Sequence, residues 1–459
     1  MHTLARKITA GSLIRFALPT VFMLLLISCY TITDGIFISN FIGEDGLSGL
    51  NVVFPVVNIT MGLATMFAAG GSAIVAKKMG EGKGEEAKRN FTAFFLVLMS
   101  VGVVMTAGVL TFIDLILKFL GAVETLYQYS HDYLFAMAIF TMVTMAKLFF
   151  EFFLVTSGQA KLAFINSIIS GLMNVLLDYV FMGPLQMGMA GAAYATELAM
   201  IPSVVIGAIY FCRKKSLISF ARPQGSVKLV LSACANGSSE MITQISAGVS
   251  TFLYNQYMLM YVAGTMGVAS ITIVMYASFL IVSMLLGFST GISPLVSFNY
   301  GQKNYAKLHR IVKYSYLMVG AFALFSFAAA QALAVPIATF FAGSSQALLD
   351  MTVYGFRIYS FAFLICGLNI ITSGLFTALS NGLISALVSA FRMLIFFTIG
   401  ILFLPLLFGV TGIWLVAPFA EIVTLGFSIW FLYLYRNKYG YSKEKSRLYE
   451  AQENQPAQQ

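Results

Sequence analysis

Long apolar runs, separated by short polar stretches or by glycine and proline, recur along the chain from Leu13 to Tyr435. Each run is roughly 20 to 30 residues long, which is enough to cross about 30 Å of hydrocarbon as a helix. The pattern predicts an all-α, polytopic membrane protein with twelve transmembrane helices. The predicted spans begin near Ser12, Leu47, Phe91, Tyr127, Leu162, Gly188, Leu229, Val268, Tyr314, Gln346, Gly382 and Gly409.

The composition excludes a soluble enzyme. Of 459 residues, 59% are hydrophobic and only 10% are charged, whereas a soluble surface needs roughly a quarter of its positions charged. The four cysteines are widely spaced without a CxxC motif, and there are only three histidines. We therefore expect neither a disulfide framework nor a zinc site.

Basic residues mark one side of the predicted membrane protein. If the N-terminus is cytoplasmic, nearly all of the 27 Lys and Arg residues fall in inner segments, and Lys118 alone falls outside. The positive-inside rule then predicts that both termini are cytoplasmic. The net charge of +9 is mainly an orientation signal, so we expect no nucleic-acid partner.

The chain contains an internal repeat. Shifting the sequence by 221 positions aligns many glycines and other residues with identical ones. The shift predicts two homologous halves, an N-lobe at 1–219 and a C-lobe at 220–440, followed by a polar cytoplasmic tail at 441–459. Identical pairs at this offset include Gly43 and Gly264, Gly70 and Gly291, Ser72 and Ser293, Gly80 and Gly301, Arg89 and Arg310, Tyr133 and Tyr354, Thr156 and Thr377, Pro184 and Pro405, and Gly191 and Gly412.

The repeat has a mechanistic implication. Because each half holds an even number of spans, the two halves have the same orientation in the membrane and form parallel repeats. Two six-helix lobes flanking a cleft suit alternating access, in which the lobes rock around a central site. Transport is therefore the leading hypothesis.

Ionisable residues inside the predicted spans are expensive and are functional candidates by default. The N-lobe residues among them have no charged counterpart at the repeat offset: Asp34 lies opposite Asn255, and Asp178 opposite Ile399. A scaffold requirement should recur in both halves, so this asymmetry favours function. The candidates are Asp34, Lys147, Glu151, Asp178, Glu197, Glu240, Arg357, Arg392 and Glu421.

Four polar residues should lie at similar depth in the outer half of the N-lobe. Asp34 precedes the first outer loop by about seven residues, and Asp178 precedes the Gly183–Pro184 turn by about five, at ~1.5 Å per residue. Thr196 lies a similar distance beyond that turn, and Asn174 shares a helix face with Asp178. Such a set ligates a hard monovalent cation such as Na⁺, or its two carboxyls share a proton. The alternative is that the two aspartates are isolated and satisfied by helix backbones.

The sequence permits more than one role for most of the other charged residues. Lys147 and Glu151, four residues apart, are predicted to form an internal ion pair. Glu240, Arg392 and Glu421 either neutralise one another or line the substrate cleft. The sequence identifies no partner for Arg357 and no role for Glu197.

The arrangement resembles the multidrug and toxic compound extrusion (MATE) family from about Gly11 to Tyr435. The matching stretches include Ala17-Leu18-Pro19 with Asp34-Gly35, Gly70-Gly71-Ser72-Ala73, the repeat copy from Gly291 to Gly301, and Asn174 to Asp178 followed by Gly191 to Thr196.

The resemblance implies a V-shaped antiporter that exports amphipathic, often cationic drugs in exchange for sodium or protons. It also implies that Asp34, Asn174, Asp178 and Thr196 correspond to the family's N-lobe cation site, and Pro19 to the proline where the first helix bends. Glu240 resembles an acidic residue that some members carry on the seventh helix. No residue here matches the tenth-helix aspartate of some branches.

Two alternatives stay open. A flippase for lipid-linked saccharides would use intramembrane cations, for which Lys147, Arg357 and Arg392 are candidates. An intramembrane enzyme would need a catalytic motif such as HExxH or GxSxG, and none is present. We expect a monomer without a cofactor in the plasma membrane of a prokaryote, with Na⁺ or H⁺ as the coupling ion.

Overall fold

The computed structural model describes residues 8–213, 216–262, 265–342 and 345–453. Within these residues the fold is helical and has no strand. The N-terminal helices are α1 (Ala10–Phe41), α2 (Glu44–Gly80), α3 (Gly84–Thr111), α4 (Ile113–Phe119), α5 (Glu124–Thr156), α6 (Ala160–Met182) and α7 (Gly188–Cys212). The C-terminal helices are α8 (Val227–Tyr261), α9 (Met266–Gly301), α10 (Tyr305–Ala342), α11 (Gln346–Tyr359), α12 (Phe363–Ala378), α13 (Gly382–Ala390), α14 (Phe396–Phe408), α15 (Val410–Tyr439) and α16 (Lys443–Glu453).

Several sequence observations fall partly outside the described residues. These are the contributions of Arg6, Lys7, Lys214 and Lys215 to the orientation, the repeat position Gly264, and the last six residues of the predicted polar tail. The earlier part of that tail contains the short helix α16.

Eleven helical segments among the described residues are long and apolar enough to span a membrane. The remaining predicted span is α8, whose 35 residues reach about 52 Å at 1.5 Å per residue, but which carries many polar side chains. Elsewhere, large apolar side chains such as Leu172, Phe340 and Leu407 remain exposed on the protein surface, as expected for positions that face lipid. The prediction of an all-α polytopic membrane protein is confirmed.

Two spans begin earlier than their apolar runs indicate. The third was predicted from Phe91 and the ninth from Tyr314, but α3 begins at Gly84 and α10 at Tyr305. The first turn of α3 carries Glu85 and Glu86, which interact favourably with the positive end of the helix dipole. The helices therefore continue into polar surroundings, where hydropathy gives no signal.

Two spans of the C-lobe are internally irregular. A 3-10 turn, Ser360–Ala362, joins α11 to α12, and a π-helical turn, Phe391–Ile395, joins α13 to α14. Turns of π-helix inside α-helices are often found at functional sites. The predicted charged residue Arg392 lies on this π-helical turn.

Helices α1 to α7 form the N-lobe, and α8 to α15 form the C-lobe. The lobes meet mainly where α2 packs on α8 and α1 packs on α9, with the end of α2 also against α9. A hydrogen bond of 2.5 Å joins the hydroxyls of Ser28 and Ser283 across the α1–α9 contact. The predicted domain boundaries near residues 220 and 440 stay predictions.

Glycines bring the backbones of the two lobes into direct contact along a strip that we call the interlobe seam. A Cβ atom on Gly80 would collide with the carbonyl oxygen of Phe298, and one on Gly301 with that of Lys77. In the same way, Gly70 packs on the carbonyl of Ala233. Only residues without a side chain allow so close an approach. The seam glycines are Gly70, Gly80, Gly237, Gly287, Gly291 and Gly301.

The seam follows the internal repeat. Gly70 and Gly291 occupy equivalent positions, as do Gly80 and Gly301, so the contacts are related by a pseudo-two-fold axis. All of them lie toward the ends of α2 and α9 and the beginnings of α1 and α8. We call this end of the molecule the basic end, because Lys77, Lys83 and other basic residues of the helix connections lie there. The two lobes therefore meet at the basic end of the molecule.

Candidate functional site

The two intramembrane aspartates of the N-lobe come together in the structure. The carboxyl of Asp34 on α1 lies next to that of Asp178 on α6. Asp178 is fully buried, and Asp34 is partly exposed with its Oδ1 atom buried. Two adjacent carboxyls in a low-dielectric setting repel each other when both are charged, unless a cation or a proton lies between them.

The amide and hydroxyl predicted beside these carboxyls also converge. The Asn174 Nδ2 atom donates to the Thr196 hydroxyl at 3.4 Å, joining α6 to α7. Within the described residues, Oδ1 of Asp34, Oδ1 of Asn174 and both carboxylate oxygens of Asp178 are buried and accept no hydrogen bond. Leaving such oxygens unpaired costs free energy. A set of oxygens from carboxylates and an amide is the donor set that a hard cation prefers.

Two tyrosines complete the surroundings of the carboxyl pair. Tyr133 on α5 is buried and lies close enough to interact electrostatically with both aspartates. Tyr30 precedes Asp34 by one helical turn, and its hydroxyl approaches the ammonium of Lys147. Tyr30 therefore links the helix of Asp34 to a second charged cluster.

That second cluster is a buried ion pair on α5. The Nζ atom of Lys147 lies 3.0 Å from Oε1 of Glu151, with both side chains almost completely buried. The hydroxyl of Ser167 on α6 donates to the same carboxylate at 3.1 Å. The predicted i,i+4 ion pair is present, and the extra hydrogen bond helps to offset the desolvation of the charges.

Glu197 belongs to the same polar interior. Its carboxylate accepts a 2.5 Å hydrogen bond from the Thr144 hydroxyl and also interacts electrostatically with Lys147. Sequence reasoning gave no role to Glu197 and missed Tyr30, Tyr133 and Thr144. The i,i+4 spacing of Tyr30 and Asp34 was the one available signal, because the other contacts join different helices.

The C-lobe holds a separate buried network. Arg392 on the π-helical turn donates through Nε to Oε1 of Glu421 at 2.5 Å. The Nδ2 atom of Asn369 donates to Oε2 of Glu421 at 2.7 Å, and Ser428 donates to Asn369 in turn. Of the two interpretations left open by the sequence, the structure therefore places Arg392 and Glu421 in mutual neutralisation.

Glu240 and Arg357 lie apart from both networks. Glu240 on α8 is partly buried and borders a small pocket between the lobes. Arg357 is exposed, and its backbone carbonyl accepts a hydrogen bond from Gln331.

A pocket of about 620 Å³ lies at the C-terminal ends of α1 and α6, away from the basic end. Phe41, Tyr179 and Gln186 are among its lining residues, and the rings of Phe41 and Tyr179 pack edge to face at 6.4 Å. Tyr179 directly follows Asp178, but neither aspartate lines this pocket. The pocket is therefore separate from the carboxyl pair.

Pro19, the predicted bend point, lies inside α1 without ending the helix. Proline lacks the N–H that would bond to the preceding turn. Its neighbours Ala17, Thr20 and Val21 form the contact with the seam glycines of α9. The weakened turn of α1 therefore coincides with the interlobe seam.

Comparison with known proteins gives consistent matches over nearly the whole chain. The multidrug export protein MepA of Staphylococcus aureus (strain bovine RF122 / ET3-1) is 21% identical over 443 residues, covering 93% of this chain and 94% of MepA. MepA of Staphylococcus saprophyticus is 22% identical with the same coverage of both chains.

Solved structures share the fold. A crystal structure of MATE in complex with MaL6 superposes with a TM-score of 0.89 at 21% identity, covering 96% of this chain and 99% of the other. An outward-facing multidrug resistance MATE family transporter of the MOP superfamily gives 0.86 at 21% identity, with 93% and 96% covered. The V-shaped twelve-helix arrangement predicted from the sequence is confirmed at the level of the fold.

The family model described as MatE matches this chain twice, at residues 19–180 and 241–402. The two matches are separated by nearly the offset of the internal repeat, and together they cover more than half of the chain. The protein is a member of the MatE family.

Proposed function

We propose that the protein is a cation-coupled antiporter, using Na⁺ or H⁺, that exports amphipathic organic cations by alternating access. The observation that carries the proposal is the Asp34–Asp178 pair with its buried, unpaired oxygens. The relatives named as multidrug export proteins support export of organic compounds. No cofactor is required, and the protein acts as a monomer.

Cation binding is coupled to the arrangement of the lobes because the two carboxyls must be neutralised when they lie side by side. A bound cation or proton relieves the repulsion between Asp34 and Asp178 and lets α1 pack against α6; its release removes that stabilisation. A ligand shifts a conformational equilibrium only through different affinities for the two states. Since α1 also forms the interlobe seam, loading of the N-lobe site biases how the lobes meet, and by linkage it competes with the substrate.

Substrate charge follows from the balance of intramembrane charges. The cations Lys147 and Arg392 are each paired with a glutamate, so they add little positive potential to the cleft. Glu240 is partly exposed and adds negative potential beside the small pocket between the lobes. A net negative cleft attracts organic monocations. Whether Glu240, Arg392 and Glu421 touch the substrate stays a prediction.

The same pairing counts against the flippase alternative. Recognition of a pyrophosphate needs a cluster of cations that are free to bind it. The buried Lys147 and Arg392 are occupied by carboxylates, so of the three candidate cations only the exposed Arg357 is left. We therefore favour drug export. We also propose that the basic end and both termini face the cytoplasm, in the plasma membrane of a prokaryote.

The proposal is tested in proteoliposomes with an imposed Na⁺ or H⁺ gradient, following a fluorescent organic cation. Asp34→Asn and Asp178→Asn should each abolish gradient-driven export while leaving membrane insertion intact, because an amide carries no charge to hold the coupling ion. Asp45→Asn, at an exposed acidic residue, is the matched control and should export normally. Wild-type rates in Asp34→Asn or Asp178→Asn contradict the proposal.

A further inference from the structure

The C-lobe carries a positively charged surface at the basic end, formed by the beginning of α10, the last turn of α15 and the short helix α16. These elements are in contact. The Nδ1 atom of His309 on α10 donates to the carbonyl oxygen of Tyr441 at 2.7 Å, and Nζ of Lys445 on α16 lies 5.4 Å from the centre of the Tyr305 ring. We call this the C-lobe basic surface, and its exposed residues are Lys303, Lys313, Arg436, Lys438, Lys443 and Arg447.

The equivalent part of the N-lobe has a balanced charge. Residues 81–92 hold three basic and three acidic side chains, whereas the repeat-equivalent residues 302–313 hold four basic and no acidic side chains. Glu86 and Lys307 occupy equivalent positions, so one position of the repeat carries opposite charges in the two lobes. A scaffold requirement should recur in both halves. The difference therefore points to a function of the C-lobe alone.

Ion pairing differs between the lobes in the same way. At the basic end of the N-lobe, Nζ of Lys78 lies 2.7 Å from Oε1 of Glu86, and Nζ of Lys88 lies 2.8 Å from Oε1 of Glu85. In the described part of the chain, the six residues of the C-lobe basic surface form no ion pair. Their charges can therefore interact with an external anion.

The C-lobe basic surface lies where the lipid-facing surface of the protein ends. Lys313 is followed one helical turn later by Leu317, an exposed apolar residue of α10. On α15, Arg436 follows the exposed aromatic residues Trp430 and Tyr433, and its guanidinium carbon lies 3.9 Å from the centre of the Tyr433 ring. Tryptophan and tyrosine favour the membrane interface, and basic side chains beside them extend to the headgroups.

From this arrangement we infer that the C-lobe basic surface binds the phosphate groups of anionic phospholipids in the leaflet around the basic end. Arginine and lysine bind phosphate oxygens through charge-assisted hydrogen bonds. Each basic residue near an anionic leaflet strengthens binding roughly fivefold. The partner is a lipid because the surface adjoins the exposed apolar residues of α10 and α15, which lipid chains cover.

Binding on one lobe only has a consequence for the movement of the lobes. Anionic lipids hold the C-lobe against the leaflet, whereas the charge-balanced N-lobe has no such attachment. Helix α16 packs on α10 and carries Lys443 and Arg447, so the same lipids hold α16 at the membrane surface. The inference goes beyond the proposed export function and does not depend on it.

The test is quenching of tryptophan fluorescence by brominated lipids around the full-length protein in nanodiscs. Leu317 on α10 and Leu96 on α3 are exposed positions that are equivalent at the repeat offset. Each is replaced by tryptophan in a Trp430→Phe background, while the fully buried Trp414 gives a constant signal. Brominated phosphatidylglycerol should bind beside the Leu317→Trp reporter roughly fivefold more tightly than brominated phosphatidylcholine does. The Leu96→Trp reporter should show no preference.

Charge variants identify the source of the preference. Lys313→Gln/Arg436→Gln should remove most of the preference at the Leu317→Trp reporter, and Lys313→Arg/Arg436→Lys should keep it because both charges remain. Lys83→Gln/Lys88→Gln removes two positive charges from the N-lobe and is the matched control, which should leave the preference unchanged. Quenching by brominated phosphatidylcholine shows whether the reporter still faces lipid in each variant, so a misfolded variant is recognised.

Three results overturn the inference. Equal quenching of the Leu317→Trp reporter by the two lipids would show that the surface does not select anionic headgroups. An equally strong preference at the Leu96→Trp reporter, or one that survives Lys313→Gln/Arg436→Gln, would assign the attraction to the basic end as a whole. Displacement of the brominated phosphatidylglycerol by millimolar inorganic phosphate at constant ionic strength would assign the surface to a soluble anion. Because quenching requires no transport, failure of the proposed export function would leave this test intact.

Discussion

Replacing Gly301 by alanine should shift the protein away from the conformation in which its lobes meet at the interlobe seam. The new Cβ atom would collide with the carbonyl oxygen of Lys77, which belongs to the opposite lobe. A backbone atom cannot rotate away as a side chain does, so the helices must separate. Overpacking of this kind costs about 1 to 3 kcal/mol.

That cost falls on only one of the two states. When the basic end is open, Gly301 and Lys77 are no longer in contact, and the added methyl group has no effect. The population ratio of closed to open seam should therefore fall roughly 5- to 150-fold, the factor that corresponds to 1 to 3 kcal/mol. Gly80→Ala should act in the same direction, because its Cβ atom would meet the carbonyl of Phe298.

The measurement is the distance distribution between spin labels at Glu85 and Lys303, which are exposed positions on opposite lobes at the basic end. The native cysteines are replaced first. Gly108→Ala is the matched control, because it adds the same methyl group to a helical glycine with no atom within 4 Å. If Gly301→Ala and Gly108→Ala give the same distribution, the seam is not the contact that holds the lobes together.

Three further outcomes follow from the contacts described. Pro19→Ala restores the missing hydrogen bond of α1 and should lower cation-driven export more than it lowers equilibrium drug binding at a fixed cation concentration; equal losses would contradict a bend at Pro19. In competition assays, organic monocations should inhibit export better than organic anions of similar size, and the reverse order would exclude an acidic cleft. Arg392→Met should destabilise the protein by about 3 to 5 kcal/mol, since it leaves Glu421 buried without a cation; Arg392→Met/Glu421→Leu should recover most of this in thermal unfolding, and no recovery would show that the pair is not the cause.

Much of the site could be predicted because depth in a membrane is encoded by sequence position. Asp34 and Asp178 lie at similar distances from the C-terminal ends of α1 and α6, and helices that alternate in direction bring such positions to the same level. The i,i+4 pairing of Lys147 and Glu151 follows from helix geometry alone. These predictions required no knowledge of which helices are neighbours.

Contacts between different helices could not be predicted from depth and helix periodicity. The approach of Tyr30 to Lys147 and the hydrogen bond from Thr144 to Glu197 depend on helix rotation and side-chain direction, which hydropathy does not fix. The pairing of Arg392 with Glu421, to the exclusion of Glu240, likewise depends on which helices of the C-lobe are adjacent. The repeat offset revealed equivalent positions in the sequence, but only the fold shows that Ser72, Ser293, Thr156 and Thr377 share one pocket.

Helix α1 can be regarded as a lever with its pivot at the seam. Its N-terminal part is held against α9 beside Pro19, and its C-terminal part carries Asp34, about 22 Å away at 1.5 Å per residue. A rotation of about 5° at the pivot would then move Asp34 by about 2 Å, at 1.5 Å rise per residue over this arm. A displacement of that size is comparable with the difference between a made and a broken ionic contact. A shift at the pivot too small to disturb its packing would therefore be sufficient to make or break the contact between Asp34 and Asp178.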